Sequence, residues 1–296
     1  MLEAIATYVF IDLETTSLPN LEFNKTRITE LSMVVVKRRH ILDTRPGAAP
    51  RVQDKFTMCF NPRRMIDPGS TDTSGLCNDL LEHQTDFNMN VFNAINSFLQ
   101  CLEKPVCLVA QNGHAFDFPI LKNHFEKLGV CLSYDIMCAD SLHAFYDIFE
   151  ANESDTKLIC KDILSNAQEE QLPAELLKDY DEDDDLNSQK YLQQKNERTP
   201  VQLKQQLLKS HNKISKVRRK LFWGNNSKPK MSYKLKDIYE RVLRRPGIEA
   251  HRAENDCIMA MEISVSIAKQ FVEWVDKNHC AFSEVKPMRL CVPLGH

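Results

Sequence analysis

The 296-residue chain has no CxxC pair and no cysteine spaced from a histidine as in a zinc knuckle. Spacing therefore marks no zinc site, and the ten cysteines, at 59, 77, 101, 107, 131, 138, 160, 257, 280 and 291, read as small buried apolar residues. No secretory leader is visible, which together with unpaired thiols fits a reducing compartment, cytoplasm or nucleus. A bilayer-length apolar run is also missing: the most lipid-like stretch, Ile258 to Ala268, is too short and holds Glu262, so membrane insertion is not expected. No internal repeat of about 20 to 50 residues marks a solenoid or propeller. Nor is there a large excess of one charge. Thirty-eight Lys and Arg against 41 Asp and Glu leave a formal net charge of -3, which excludes neither nucleic acid nor small molecules, because a local basic surface suffices to hold a polyanion. What is present is a 43% hydrophobic composition, enough for one sizeable core.

Tyr8 to Leu13 is a short β-rich apolar run of the kind covered on both faces. Ile28 to Lys37 and Lys55 to Phe60 are two further strands, separated by a loop with Arg45, Pro46, Gly47 and Pro50. Together they predict a meander. Asp79 to Leu102 has helical periodicity with an interruption near Thr85, Val106 to Ala110 reads as a central strand, Phe118 to Leu128 as a helix, and Asp135 to Leu142 as a short strand or turn. A meander followed by strand-helix alternation predicts an α/β fold with a mixed five-stranded sheet flanked by helices. Helical patterning resumes at MSYKLKDIYERVL and again from Ala253 to Val275. Between them, from about 150 to 230, six acids fall in the seven positions Asp179 to Asp185 and five bases in the eight positions Lys213 to Lys220. Such blocks describe a charged, partly disordered insertion within a single domain spanning 1–296.

Three acidic stretches stand out. In FIDLETTSLP, Asp12 and Glu14 are two apart on a strand, so both leave the same face with Cα atoms roughly 6 to 7 Å apart. Two such carboxylates suit a hard cation, and a pair of Mg²⁺ or Mn²⁺ ions about 3.5 to 4 Å apart supports phosphodiester hydrolysis; solvated carboxylates at a strand end are the simpler reading of the pair alone. In VAQNGHAFDFPIL, Asp117 falls at a strand-to-helix turn just before a proline, where an isolated Asp is more often a helix cap than a ligand. In HRAENDC, Asp256 opens a late helix and His251 precedes it by five residues. If the helix reached back to His251, about 500° of rotation would send the two side chains apart; the loop-like RRPGIEA before it allows the histidine to turn inward.

Asp-x-Glu on the first strand, Asp at a strand-to-helix turn and His-x4-Asp opening a late helix form, in that order, a pattern similar to the DEDDh exonucleases, whose fold resembles RNase H. The tyrosine of the family's other branch would stand at Arg252, which indicates the histidine branch. The blocks FIDLETTSLP, RITELS, LVAQNGHAFDFPIL, DSLHAF, SYKLKDIYERV, AHRAENDC and FVEWVDKNHCAF further resemble, in the same order, those of the three-prime repair exonucleases, TREX.

The resemblance implies an RNase H-like fold with Asp12, Glu14, Asp117 and Asp256 as ligands of two Mg²⁺ ions, Mn²⁺ substituting, and His251 as general base, an imidazole being able to take a proton near neutral pH. It implies a 3′→5′ exodeoxyribonuclease releasing 5′-mononucleotides from single-stranded DNA or frayed 3′ ends, and a homodimer paired through the FTMCF edge strand. Thr15 and Thr16 are expected to bring backbone amides to the terminal nucleotide, Leu18 to pack on its base, and Phe116 to offer an aromatic face or to join the core. The active site alone does not separate DNA from RNA, whose distinguishing group is the 2′-hydroxyl, and a non-catalytic nucleic-acid-binding member is the reading from another class. Departures are visible, among them His114-Ala115 in place of a common Asp-Arg pair and a long insertion with KVRRK ahead of Phe222-Trp223. That basic stretch reads as a phosphate grip with a stacking aromatic, a nuclear-import signal, or a solvated loop.

Overall fold

A computed structural model describes residues 4–150, 231–248 and 251–290. Its centre is a six-stranded sheet in the order β3-β2-β1-β4-β5-β6. Strands β1 (Thr7–Thr15), β2 (Ile28–Lys37) and β3 (Asp54–Cys59) pair antiparallel, the expected meander. Strands β4 (Val106–Ala110) and β5 (Ile136–Asp140) run parallel to β1. The sixth strand, β6 (Cys280–Ala281), corrects the expected five; two residues carry no readable alternation, and only pairing with β5 makes them a strand.

Alternation along β1 divides the core. Val9, Ile11 and Leu13 face one side, under α4 (Met89–Gln100) and α5 (Asp117–Lys127), where they meet Ile95, Phe118 and Phe125. Tyr8 and Phe10 face the other, under α7 (Leu235–Leu243), α8 (Ala253–Ser266) and α9 (Ala268–Asn278). Helices cover both faces, which is why β1, β2 and β4 read as near-continuous apolar runs. Continuing the Tyr8-Phe10 face by period two places Asp12 and Glu14 on the α8 side of the sheet, past the last aromatic.

Shorter helices fill the connections: α1 (Arg38–Asp43), α2 (Pro68–Ser74), α3 (Asn78–Leu81) and α6, helical over 141–150. The loop expected between β2 and β3 thus starts as α1, and the Arg38 guanidinium holds it to α9 by donating to both oxygens of Asp276 at 2.9 and 2.7 Å. The interruption near Thr85 separates α3 from α4, whose first amides, of Asn90 and Val91, donate to the Asn88 side chain, an N-cap that restarts the helix. The Ala253–Val275 helix is in fact two, broken at Ile267. Before the break, Ser264 and Ser266 hydroxyls donate to the carbonyls of Ala260 and Glu262, local bonds that compete with helical continuation.

Of the described cysteines, Cys107, Cys138, Cys257 and Cys280 are buried as expected, whereas Cys101 and Cys131 are exposed and Cys59 and Cys77 half-buried. Among the described residues no helix is long and apolar enough to cross a membrane. The charged insertion, with its basic stretch and Phe222-Trp223, lies outside the described residues.

Candidate active site

Asp12 and Glu14 open into a cleft of about 850 Å³ whose walls also include Thr15, Leu18, Phe116, His251 and Asp256. The cleft lies at the carboxyl end of β1, where the parallel pair β1 and β4 hands the chain to loops. A ring nitrogen of His251 and one carboxylate oxygen each from Glu14 and Asp256 lie within 4.8 Å of one another. Asp117, the first residue of α5, is only 2% exposed, and its Oδ1 accepts the Leu13 amide at 3.2 Å. That bond fixes the carboxyl against the backbone between Asp12 and Glu14. Three segments remote in sequence therefore converge on one end of the sheet.

His251 precedes α8 instead of extending it. It has φ +64°, and its amide donates to Asp256 Oδ2 at 3.1 Å. The left-handed turn removes the divergence that a continuous helix would impose, and the hydrogen bond folds the segment back over the first turn of α8. A second anchor escaped the sequence reading. Glu30, on β2 opposite Glu14, is 2% exposed, and its Oε2 accepts the Ala253 amide at 3.1 Å. A buried carboxylate at a helix N-terminus satisfies an otherwise orphaned donor and complements the helix dipole; here it ties the start of α8 to the sheet. Its only signal was an acid inside a largely apolar strand, ITELSMVVVK.

The acids raise one another. Burial, then the charges of Asp117, Asp256, Glu14 and Glu30, lift Asp12 well above the usual carboxylate range. Burial followed by Asp256, Glu30 and Asp117 pushes Glu14 up to about 8. Asp117 is raised mainly by burial, against the pull of backbone amides that favour its charged form. Asp256 is raised by burial too, less so because the His251 amide and imidazole oppose it. A group of hard oxygen donors that disfavours its own charge in this way fits divalent cations, which remove the mutual repulsion.

The remaining positions divide. Leu18 is 56% exposed at the cleft rim, next to Leu21 at 62%, an apolar edge that a base can cover. Phe116 is half-buried, reaching both the cleft and the core beneath it. Thr15 lines the cleft, its hydroxyl donating to the Ser17 carbonyl at 3.1 Å. Thr16 differs from expectation. It is fully buried, its amide donates to the Arg27 carbonyl at 2.9 Å, and its hydroxyl donates to Glu22 and accepts the Arg27 amide. With its donors committed, Thr16 shapes the turn and has no amide to give a nucleotide. Lys234 and Lys236, exposed at the start of α7, also line the cleft; lysines after a charged insertion carried no signal of their own.

Residues 9–161 match the RNase_T family, described as Exonuclease. The chain belongs to this exonuclease family. Within it, the chain is similar to three prime repair exonuclease 2 of Mus musculus, 35% identical over 158 residues that cover 51% of this chain and 66% of that protein. Three-prime repair exonuclease 1 of Bos taurus is 24% identical over 295 residues, covering 96% of this chain and 70% of that protein. The resemblance to the TREX exonucleases drawn from the ordered blocks is thereby met. Among solved structures, E. coli exonuclease I in complex with a dT13 oligonucleotide aligns over 92% of this chain and 43% of its own, with a TM-score of 0.49 and 14% identity.

Proposed function

We propose that the chain is a metal-dependent 3′→5′ exodeoxyribonuclease that removes 5′-mononucleotides from single-stranded DNA or frayed 3′ ends. The observation that carries this is the convergence of Asp12, Glu14, Asp256 and His251 on one cleft, with Asp117 fixed behind it; the names of the relatives agree with it. Asp12, Glu14, Asp117 and Asp256 would hold two Mg²⁺ ions, with Mn²⁺ an acceptable substitute, and such ions supply charge stabilisation for the phosphodiester and acidify the attacking water.

The chain's own groups do the rest. The His251 ring nitrogen takes the proton of the attacking water as its oxygen bonds to phosphorus; the bond to the 3′-oxygen breaks and that oxygen takes up a proton from solvent, leaving a 3′-hydroxyl on the shortened strand and a free 5′-nucleotide. Its left-handed turn and its bond to Asp256 keep the imidazole beside the carboxylates while leaving it exposed to solvent. The Leu18 and Leu21 rim would pack on the terminal base and Phe116 would face it. Lys234 and Lys236 would meet the phosphate backbone of the strand entering the cleft.

Strand β3 is one of the sheet's two edges, and among the described residues its outer side carries no strand; a second copy would add its own strand there, and light scattering at two concentrations tests this homodimer. The activity is tested by digesting matched DNA and RNA oligonucleotides with a 3′-hydroxyl in Mg²⁺. Mononucleotides should appear from DNA and vanish with EDTA, with Asp256→Ala and with His251→Ala. Activity undiminished in EDTA would refute the metal role, preferential digestion of RNA would move the substrate, and binding without turnover would make the chain a non-catalytic member.

A further inference from the structure

Sequence spacing offers no zinc site, yet the fold assembles soft donors from three distant places. Cys138 lies on β5 and faces Cys280 on β6 in the antiparallel register, with the two sulfurs 3.5 Å apart. His114 lies in the turn between β4 and α5. Asp140, two residues beyond Cys138, pins that turn by accepting the amides of Asn112 and His114 at 3.0 and 3.1 Å. The His114 ring packs edge-on against Phe118 at 5.3 Å, and its Nδ1 is buried with no hydrogen-bond partner. One ligand atom from each of His114, Cys138 and Cys280 lies within 4.8 Å of the other two.

We infer that His114, Cys138 and Cys280 form a second metal site, for a thiophilic ion such as Zn²⁺, separate from the carboxylate cleft. Zinc takes thiolate at about 2.3 Å and imidazole at about 2.0 to 2.1 Å, so a tetrahedral site spaces two sulfurs about 3.8 Å apart and sulfur from nitrogen about 3.6 Å. The observed sulfurs differ from that by only a few tenths of an ångström. Two sulfurs and a nitrogen select zinc over magnesium, whereas the four carboxylates proposed as ligands in the cleft select the reverse. Asp140 orients His114 through the backbone, in the manner of carboxylates that steady a ligand from behind. An ion here would join the turn leading to Asp117, strand β5 and the short β6.

The test uses the full chain, purified without a polyhistidine tag, with zinc counted by mass spectrometry after passage over a weak chelator and with Co²⁺ then exchanged in. About one zinc per chain is expected, together with a near-ultraviolet thiolate-to-cobalt charge-transfer band that persists in Asp256→Asn and disappears in Cys138→Ser and Cys280→Ser. Because oxygen ligands give no such band, the wild-type spectrum decides even where a serine variant folds poorly. Absence of the band and of retained zinc would overturn the proposal. So would titration showing that two thiols disappear into a Cys138–Cys280 disulfide in metal-free protein that takes up no cobalt, which would make the pair a redox couple.

Discussion

Replacing Glu14 by glutamine should stabilise the metal-free protein, although it removes a conspicuous acid of the cleft. The Glu14 carboxyl is pushed from its ordinary 4.5 to about 8 by burial and by Asp256, Glu30 and Asp117. Below pH 4.5 it is protonated in both the folded and the unfolded chain and costs nothing. As pH rises toward 8 the unfolded chain sheds the proton while the folded chain keeps it, so stability falls with pH and levels off above about 8. The distance from 4.5 to 8, at about 1.4 kcal/mol per pH unit, bounds the cost at about 5 kcal/mol; solvent in the open cleft screens part of it, leaving about 2 kcal/mol. Glutamine has the shape without the charge and escapes that cost. In EDTA at pH 8, Glu14→Gln should therefore melt about 4 to 8 °C above wild type, with most of the gap gone at pH 5. In Mg²⁺ the order should close or invert, since the ion binds the folded wild type more tightly than the variant and stabilises by mass action. A variant less stable than wild type in EDTA at pH 8, or a gap independent of pH, would refute mutual repulsion as the cause of the raised carboxyls.

Other expected outcomes can be measured with the same preparations. Glu30→Ala strips the Ala253 amide of its acceptor and frees the first turn of α8; kcat should fall about tenfold with KM little changed, whereas Glu30→Gln, which keeps an acceptor, should recover most of it. Arg245→Ala leaves the buried Glu262 carboxylate, now held by the Arg245 guanidinium and by the Tyr239 hydroxyl at 2.7 Å, with a single donor, and urea unfolding should show a loss of about 2 kcal/mol, the exposed arginine limiting the effect. Leu18→Ala should raise KM for an oligonucleotide several-fold, about 1 kcal/mol of lost contact with the terminal base, and leave metal-dependent stability untouched. Phe10→Ala removes a fully buried ring that stacks on Phe271 with centroids 6.1 Å apart, at a cost of about 3 to 5 kcal/mol.

Strands β1, β2 and β4 were legible because two covered faces impose apolar runs, and β2 begins and ends where its run does. Asp12 and Glu14 were legible because period two admits no other arrangement than a shared face. What escaped depends on pairing between remote segments. The Ala253 to Val275 pattern keeps its apolar period across Ile267, so periodicity does not register the break there, which follows two serines whose hydroxyls bond back to carbonyls. Glu30 gave a charge but no partner, since its partner is an amide 223 positions away. Thr16 looked available because small residues after an acidic pair resemble an open loop; its amide is taken by Arg27. Cys138 and Cys280 are 142 residues apart, and only the register of β5 with β6 makes them neighbours, so local cysteine spacing pointed away from them.

The placement of Asp12 and Glu14 has a consequence for how the protein ages and fails. They end β1, which is paired with both β2 and β4 as far as Phe10 and with β2 alone beyond it, and whose Tyr8, Val9 and Phe10 are wholly sealed from water. Amides in its doubly paired part exchange with solvent only when the whole domain opens, so the strand that carries these two acids is anchored as durably as the fold itself. His251, exposed and ahead of its helix, sits at the opposite extreme. Heating a sample should therefore loosen the histidine segment first, so that turnover drops in molecules that are otherwise intact, before global unfolding shrinks the fraction of competent molecules.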